Sequence, residues 1–352
     1  MRSTLLATAA SLAAVALLAP AASAAGTPPG HQMAASTYSI IGDTPYSVFQ
    51  IQHFPQDIAE INADPDVSRV IHVGDIKSGS TRCDTIDTNP NTGDYTQIKS
   101  NFDLFQDPLV YTPGDNEWTD CHRANNGGYV PTERLGVIRS MFFPTPGTTL
   151  GQNPAAVDTQ GSGYPENVTW NESRVQFGTI DVPGSNNDWL PWFGTARTQG
   201  QIDEVTNRTA ADLAWIDHIF SLAKTNKAKA VVIATQADMW DQAFATDASQ
   251  SDHFTPIVQA LAKRSLAWER KVVLFNGDSH VFETDYPLAD PSTAQNQVYG
   301  VSQPVDNLTR ITVNGSTTAC HQWLKLTINP KSDEIFSWSR HGFANQAPGN
   351  GC

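Results

Sequence analysis

Four apolar segments of this 352-residue chain end in the dipeptide Gly-Asp, and this feature constrains the fold more than any other. The four pairs are Gly42-Asp43, Gly74-Asp75, Gly114-Asp115 and Gly277-Asp278. The segments before them are short and mostly β-branched, as buried strands are. In an open α/β sheet, ligands bind beyond the carboxyl ends of the strands, where glycine permits a tight turn. We therefore expect the four aspartates to converge.

Short apolar runs alternate with longer amphipathic ones along the chain, which favours an α/β fold. The expected strands are Tyr38–Ile41, Arg69–Val73, Leu109–Thr112, Val175–Ile180, Ala230–Ala234, Lys271–Phe275, Arg310–Val313, Trp323–Ile328 and Ile335–Trp338. The expected helices are Phe49–Asn62, Tyr95–Phe105, Thr132–Phe142, Ala210–Lys224 and Thr255–Arg270. Thr209 is expected to cap the fourth helix. The tail after Asn307 contains only strand patterns, so we expect it to complete a sheet of the same domain.

The N-terminal residues have the layout of a secretory signal peptide. Arg2 precedes an apolar run from Leu5 to Leu18, and small residues follow, so we expect cleavage near Ala24 and a secreted protein. The expected organisation is a signal peptide at 1–24, a flexible lead-in at 25–36 and a single domain at 37–352. We expect no membrane span, since no later run approaches the roughly 20 apolar residues that a span needs.

Charge and cysteine content narrow the functional classes. Acidic residues outnumber basic ones 36 to 22, for a formal charge of -14, which argues against general nucleic-acid binding. Four cysteines in an oxidising compartment permit two disulfides, in three possible connectivities. Cys83 with Cys121 and Cys320 with Cys352 require the least loop crossing, so we expect these two pairs.

Four converging carboxylates repel one another unless a positive charge lies among them, and a divalent cation is the simplest candidate. The alternative for any one of these aspartates is a helix cap or an Asx turn. That alternative is weaker for all four together, because all of them follow strands.

The order of these motifs resembles that of the calcineurin-like metallophosphoesterases. The matching segments are Asp43, Gly74-Asp75, Gly114-Asp115-Asn116-Glu117, the strand leading to Gln236, and Gly277-Asp278-Ser279-His280. The resemblance spans nearly the whole mature chain. It implies an α/β fold with a two-sheet β-sandwich flanked by helices in four layers. It also implies two metal ions, one held by Asp43, Asp75 and His280 and the other by Asp75, Asp115, Gln236 and Asp278, with Asp75 bridging them.

Several positions depart from the family pattern. Pro45, Gln236 and Asp278 stand where the family has histidine ligands, and Asp115 stands where it has asparagine. Asn116 replaces the histidine usually credited with protonating the leaving group. Because oxygen ligands dominate this set, we expect Mn²⁺, Mg²⁺ or Ca²⁺ rather than Zn²⁺.

Candidates for substrate contacts lie near the second and third motifs and, for Asn187, in the later segment 184–189, which follows an expected strand. We expect Lys77, Arg82 and Asn187 to help bind substrate, and Arg123 to clamp a phosphate oxygen. We expect His122 to act as the general acid that Asn116 cannot be. A Cys83–Cys121 disulfide would tie the two loops that carry these groups.

The leading functional expectation is a secreted phosphoesterase that hydrolyses a small-molecule or polymeric phosphomonoester or phosphodiester with a metal-activated water. The alternative is a catalytically degenerate metal-binding protein of the same fold that acts as a binding module. A glycosidase that uses two of the aspartates explains the carboxylates but not their position after four strands, so we rank it last.

Overall fold

The computed structural model describes residues 33–87, 89, 92–244, 247–318, 320–349 and 351–352. In this part of the chain the strands are β1 (Ser36–Ile41), β2 (Val67–His72), β3 (Leu109–Tyr111), β4 (Asp158–Thr159), β5 (Val168–Glu172), β6 (Val175–Thr179), β7 (Ala230–Ala234), β8 (Val272–Asn276), β9 (Glu283–Asp285), β10 (Leu308–Thr312), β11 (Gln322–Ile328) and β12 (Phe336–Gly342). The α-helices are α1 (Val48–Ala63), α2 (Tyr95–Phe102), α3 (Pro131–Phe142), α4 (Gln199–Thr225), α5 (Thr255–Trp268) and α6 (Ala294–Val298).

The strands form two sheets. One has the order β12-β11-β1-β2-β3, in which β1, β2 and β3 are parallel and β11 and β12 are antiparallel additions. The other has the order β4-β5-β6-β7-β8-β10-β9, in which β6, β7, β8 and β10 are parallel. Parallel strands bring their carboxyl ends to one edge of a sheet, so the loops after β1, β2, β3 and β8 are available to form a common site.

The two sheets pack face to face through apolar side chains. Tyr38 and Ile71 of the first sheet share a buried cluster with Phe177 and Val232 of the second. Helices α1, α2 and α3 cover the outer face of the first sheet, and α4 and α5 cover the outer face of the second. The protein is therefore a mixed α/β fold with a two-sheet sandwich flanked by helices, as the sequence predicted.

The main departure from the predicted elements is helix α4, which begins at Gln199 rather than Ala210. Its N-cap is Thr198, whose side chain accepts a hydrogen bond from the Gln201 amide, and not Thr209. The short strands β4, β5 and β9 and helix α6 were not predicted. The tail after Asn307 contributes to both sheets, since β10 joins the seven-stranded one and β11 and β12 join the five-stranded one.

Both predicted disulfides, Cys83–Cys121 and Cys320–Cys352, are present. The predicted signal peptide and most of the predicted lead-in lie outside the described residues, and Ser36 already begins β1. None of the helices in the described part of the chain has the length and apolar character of a membrane span.

Candidate metal centre

The loops that follow β1, β2, β3 and β8 carry the four aspartates to one place. Asp43, Asp75, Asp278 and His280 all have left-handed backbone conformations, with φ between 50° and 71°. This conformation is uncommon for residues with a side chain and costs about 1–3 kcal/mol where it occurs. Four such residues in one cluster indicate a backbone shaped to aim side chains at a common point.

The aspartates and His280 form two overlapping groups. In the first, ligand atoms of Asp43, Asp75 and His280 all lie within 4.8 Å of one another, and in the second, those of Asp75, Asp115 and Asp278 do so. Asp75 belongs to both. The expected second group also contained Gln236, and these acidic and histidine groups could bind metal ions.

The surroundings of the carboxylates fit a bound cation. Asp43 Oδ2 is buried and has no hydrogen-bond partner in the described part of the chain. Burial raises the pKa of Asp43, Asp75 and Asp278 well above the usual range, and the carboxylate of Asp115 raises all three further. A cation would remove both penalties, because it compensates the buried charge and the mutual repulsion.

Two glycines make the close approach of the carboxylates possible. A Cβ on Gly277 would lie 2.2 Å from Asp43 Oδ2, and one on Gly184 would lie 2.6 Å from Asp115 Oδ2. Any other residue at either position would push a candidate ligand away from its partners. Gly277, the glycine of the fourth Gly-Asp pair, therefore makes room for Asp43 and not for Asp278, its neighbour in sequence.

His280 is held in an orientation suited to a ligand. Its Nδ1 hydrogen-bonds Thr317 Oγ1 at 2.6 Å, while its Nε2 lies 3.4 Å from Asp43 Oδ1. Burial lowers the pKa of His280, which favours the neutral imidazole that a metal requires. A hydrogen-bond acceptor on one ring nitrogen that leaves the other for the metal is the usual arrangement of histidine ligands.

Gln236 lies beside the second group of candidate ligands. Its Oε1 accepts a hydrogen bond from the Gly184 amide at 2.5 Å, and its Nε2 donates to Asp115 Oδ1 at 3.2 Å. An amide oxygen has two lone pairs, so the bond from Gly184 leaves one free. In this geometry Gln236 also orients the carboxylate of Asp115.

Asp75 is fixed by two polar neighbours. Asn116 Nδ2 donates to Asp75 Oδ2 at 2.8 Å and to Tyr46 Oη at 2.8 Å, and the Tyr46 hydroxyl donates to Asp75 Oδ2 at 2.9 Å. The Tyr46 ring also contacts the His280 ring edge to face, with a centroid distance of 5.2 Å. Sequence reasoning identified Asn116 and missed Tyr46, although an aromatic residue three positions after Asp43 was a usable signal.

Glu117 hydrogen-bonds the loops that carry the candidate ligands, and no role was predicted for it from the sequence. Its Oε1 accepts hydrogen bonds from the amides of Asp75 and Gly114 and from the Tyr111 hydroxyl. It thereby connects the loops after β2 and β3. Lys77 lies nearby, and burial lowers its pKa to about 8.

An open cleft of about 520 Å³ gives access to four of the candidate ligands, Asp75, Asp115, Asp278 and His280. Its lining residues are Tyr46, Asp75, Ser78, Gly79, Ser80, Asp115, Asn116, Asp120, Arg123, Ser185, Asn186, Leu190, Gln250, Asp278, His280 and Thr317. Arg123 Nη1 lies 2.7 Å from Asp120 Oδ2, and the Ser185 hydroxyl donates to Asp120 Oδ1 at 2.8 Å and contacts Asp115 Oδ2 at 3.0 Å. Arg123 is thus connected to the carboxylate centre.

Six residues with predicted roles do not line the cleft. Two of them, Asp43 and Gln236, lie buried beside residues that do. His122 places Nδ1 2.6 Å from the Thr119 carbonyl, and its ring contacts Phe193. Arg82 forms an exposed ion pair with Asp84.

Lys77 and Asn187 are buried in the protein. Lys77 Nζ donates to the carbonyl oxygens of Ser78 and Asn116, so it stabilises the loop and does not reach the cleft. Asn187 lies in a run of four left-handed residues, Ser185 to Asp188, and its Oδ1 accepts from Arg208 Nη1 at 2.5 Å. Asn187 therefore holds this turn against helix α4, while Ser185 carries the contact with the site.

No protein-family model and no curated protein matches the chain. One match among solved structures is GAP50, described as the anchor in the inner membrane complex of Plasmodium. The two chains are 10% identical with a TM-score of 0.44, over 89% of this chain and 90% of that one. The chemistry of the site must therefore be inferred from the residues of this chain itself.

Proposed function

We propose that the chain is a secreted phosphoesterase of the calcineurin-like metallophosphoesterase superfamily, acting on a phosphomonoester or a phosphodiester. The observation that carries this proposal is the pair of candidate ligand groups that share Asp75 beside an open cleft. Sites with two metal ions and a shared ligand are suited to in-line displacement at phosphorus.

Asp43, Asp75 and His280 would hold one cation, and Asp75, Asp115 and Asp278 the other. When bound, the cations would polarise a phosphoryl oxygen and lower the pKa of a water nucleophile. Carboxylate oxygens dominate the donor set, so we propose Mn²⁺, Mg²⁺ or Ca²⁺ rather than Zn²⁺.

Arg123 would bind a non-bridging phosphate oxygen of the substrate. Its side chain is 43% exposed and lines the cleft, while Asp120 is almost fully buried and fixes one end of the guanidinium. A guanidinium has five N–H donors, so donors are left for a phosphate after the ion pair forms. Asn116 and Tyr46 would keep Asp75 in place during the reaction.

A catalytically degenerate binding module is the second candidate, and a specific observation favours it. His122, the predicted general acid, is not among the residues that line the cleft, and Asn116, which stands where the family has a histidine, carries an amide that cannot protonate a leaving group. Such a protein would bind a cation and a ligand in the same cleft without turnover.

Hydrolysis of nitrophenyl phosphate monoesters and diesters tests the proposal. The assay uses the mature protein with Mn²⁺, Mg²⁺, Ca²⁺, Zn²⁺ or chelator, alongside Asp75→Asn and Asp181→Asn. Asp181 is a buried carboxylate that does not line the cleft, so its substitution controls for the loss of a buried acid. Cation-dependent activity that is lost only in Asp75→Asn supports the phosphoesterase. Absence of turnover, with a melting temperature that still rises with cation, overturns it in favour of the binding module.

A further inference from the structure

The loop that carries Asp43 is held by residues from a distant part of the chain. Thr44, the next residue, places Oγ1 3.1 Å from His321 Nε2, and both side chains are buried. The Thr44 carbonyl oxygen also lies 3.1 Å from His72 Nε2. Thr44 is therefore anchored at its carbonyl and at its side chain, next to Asp43, which adopts φ 50°.

A buried carboxylate lies on the other side of the His321 ring. Asp57 Oδ2 is 3.6 Å from His321 Nδ1, and neither carboxylate oxygen of Asp57 has a hydrogen-bond partner among the described residues. Burial raises the pKa of Asp57 to about 8, with a contribution from Glu60, and burial lowers the pKa of His321 to about 4. A neutral acid beside a neutral imidazole is compatible with a position this far from water.

The C-terminal segment holds His321 through contacts with its backbone and its ring. The His321 amide donates to Gln346 Oε1 at 2.9 Å, and Gln346 Nε2 donates to the His321 carbonyl at 2.7 Å. The Phe343 ring packs against the imidazole, with a centroid distance of 4.7 Å. Cys320, adjacent to His321 in the chain, is bonded to Cys352, which closes the segment into a loop.

We propose that Thr44 and His321 form a positioning relay, through which the disulfide-closed C-terminal segment fixes Asp43 for metal binding. This inference rests on the metal centre of the proposed function. Both are positioning residues, since neither belongs to the candidate ligand groups or lines the cleft. Ligand groups must be held within about 0.5 Å of their productive geometry, so loosening of the 43–44 peptide should weaken cation binding at the group that contains Asp43.

Mn²⁺ titration of the oxidised protein, followed by the electron paramagnetic resonance signal of free Mn²⁺, tests the relay without reference to turnover. Thr44→Val removes the hydroxyl and keeps the side-chain shape, Thr44→Ser keeps the hydroxyl, and Thr169→Val removes a buried threonine hydroxyl that hydrogen-bonds Phe177 on β6. We expect Mn²⁺ affinity to fall about tenfold in Thr44→Val, as for other residues that orient metal ligands. Affinity should be restored in Thr44→Ser and unchanged in Thr169→Val.

The link to the tail is tested with Cys320→Ser/Cys352→Ser. This variant should also bind Mn²⁺ more weakly, and adding Thr44→Val to it should cause little further loss, because both changes interrupt the same relay. Urea midpoints establish that each variant is folded, and if the double serine variant is not, the comparison of Thr44→Val with Thr44→Ser decides. Equal affinities for Thr44→Val and Thr169→Val, or multiplicative losses in the combined variant, overturn the relay.

The outcomes also separate this inference from the proposed function. Wild-type protein that binds Mn²⁺ but hydrolyses no ester overturns the phosphoesterase, while the ratio of Mn²⁺ affinities still decides the relay. Wild-type protein that binds none of Mn²⁺, Mg²⁺ and Ca²⁺ overturns both.

Discussion

Gly277→Ala should reduce cation binding without adding or removing any polar group. The added methyl would lie 2.2 Å from Asp43 Oδ2, whereas non-bonded heavy atoms prefer about 3.5 Å, so the carboxylate must move by about 1 Å. Metal–oxygen bonds lie within roughly 2.0–2.6 Å, and a ligand displaced this far is lost. We therefore expect the dissociation constant of the group that contains Asp43 to rise about 100-fold.

The size of the expected loss of stability follows from the linkage between cation binding and folding. At a cation concentration of about 100 times the wild-type dissociation constant, binding stabilises the folded protein by about 2.7 kcal/mol. With a dissociation constant 100-fold higher, the same concentration contributes only about 0.4 kcal/mol. The cation-dependent part of the free energy of unfolding should thus fall by about 2.3 kcal/mol, a difference that urea unfolding with and without Mn²⁺ resolves.

Gly136→Ala is the matched control. Gly136 lies within helix α3, and a Cβ built there meets no atom within 4 Å. The substitution should stabilise the protein by up to about 1 kcal/mol through the backbone alone, and should leave the Mn²⁺ increment at its wild-type size. A Gly277→Ala protein that keeps the full Mn²⁺ increment would refute the inference that Asp43 Oδ2 is a metal ligand.

Three further predictions concern the buried charges and the hydroxyl at the site. Without cation, the folded protein should become less stable as the pH rises from about 4, because carboxyls with raised pKa values, such as Asp43 and Asp75, keep protons that the unfolded chain has lost. The stabilisation by a bound cation should grow over the same pH range. Urea midpoints measured across pH with and without Mn²⁺ check both trends. Tyr46→Phe removes a 2.9 Å hydrogen bond to Asp75 and should weaken Mn²⁺ binding about tenfold in the same titration, with little change in metal-free stability. Arg208→Met leaves Glu204 without its 2.8 Å partner and should lower the free energy of unfolding by about 3–5 kcal/mol in urea, while the Mn²⁺ increment persists.

The α/β character of the fold was predictable because buried strands and amphipathic helices leave a periodic pattern, whereas the two-sheet arrangement was implied only by the family resemblance. The start of helix α4 was not predictable, since residues 199–209 are mostly polar. Two of the polar residues in this range, Gln201 and Arg208, are nevertheless buried. Arg208 is held there by Glu204 one helical turn earlier, and by Asn187 and the Asp181 carbonyl. Only the Glu204 pair has a local signature in the sequence, and the other two partners become neighbours after folding.

The candidate ligands were predictable for a related reason, and their supporting residues were not. A strand end fixes the position of the next residue, so the four Gly-Asp pairs could be placed together from the sequence. Lys77, Arg82 and His122 were chosen because they are near a ligand in sequence, but the loops turn them away from the cleft. Ser185 and Thr317 contact the site from distant segments, and only the tertiary structure brings them there.

The carboxylate-rich ligand set and the glycines around it have a common physical cause. An aspartate side chain is shorter than that of histidine, so a centre built from aspartates requires its loops to approach more closely. The structure provides this approach at three glycines, where a Cβ would lie 2.1 Å from Asp75 Oδ1 at Gly114, 2.6 Å from Asp115 Oδ2 at Gly184, and 2.2 Å from Asp43 Oδ2 at Gly277. Replacing one aspartate by the longer histidine would overfill this space. At Gly184 a Cβ would also lie 3.0 Å from Asp278 Oδ2, so the close approach of the backbone there is matched to a short side chain at position 278.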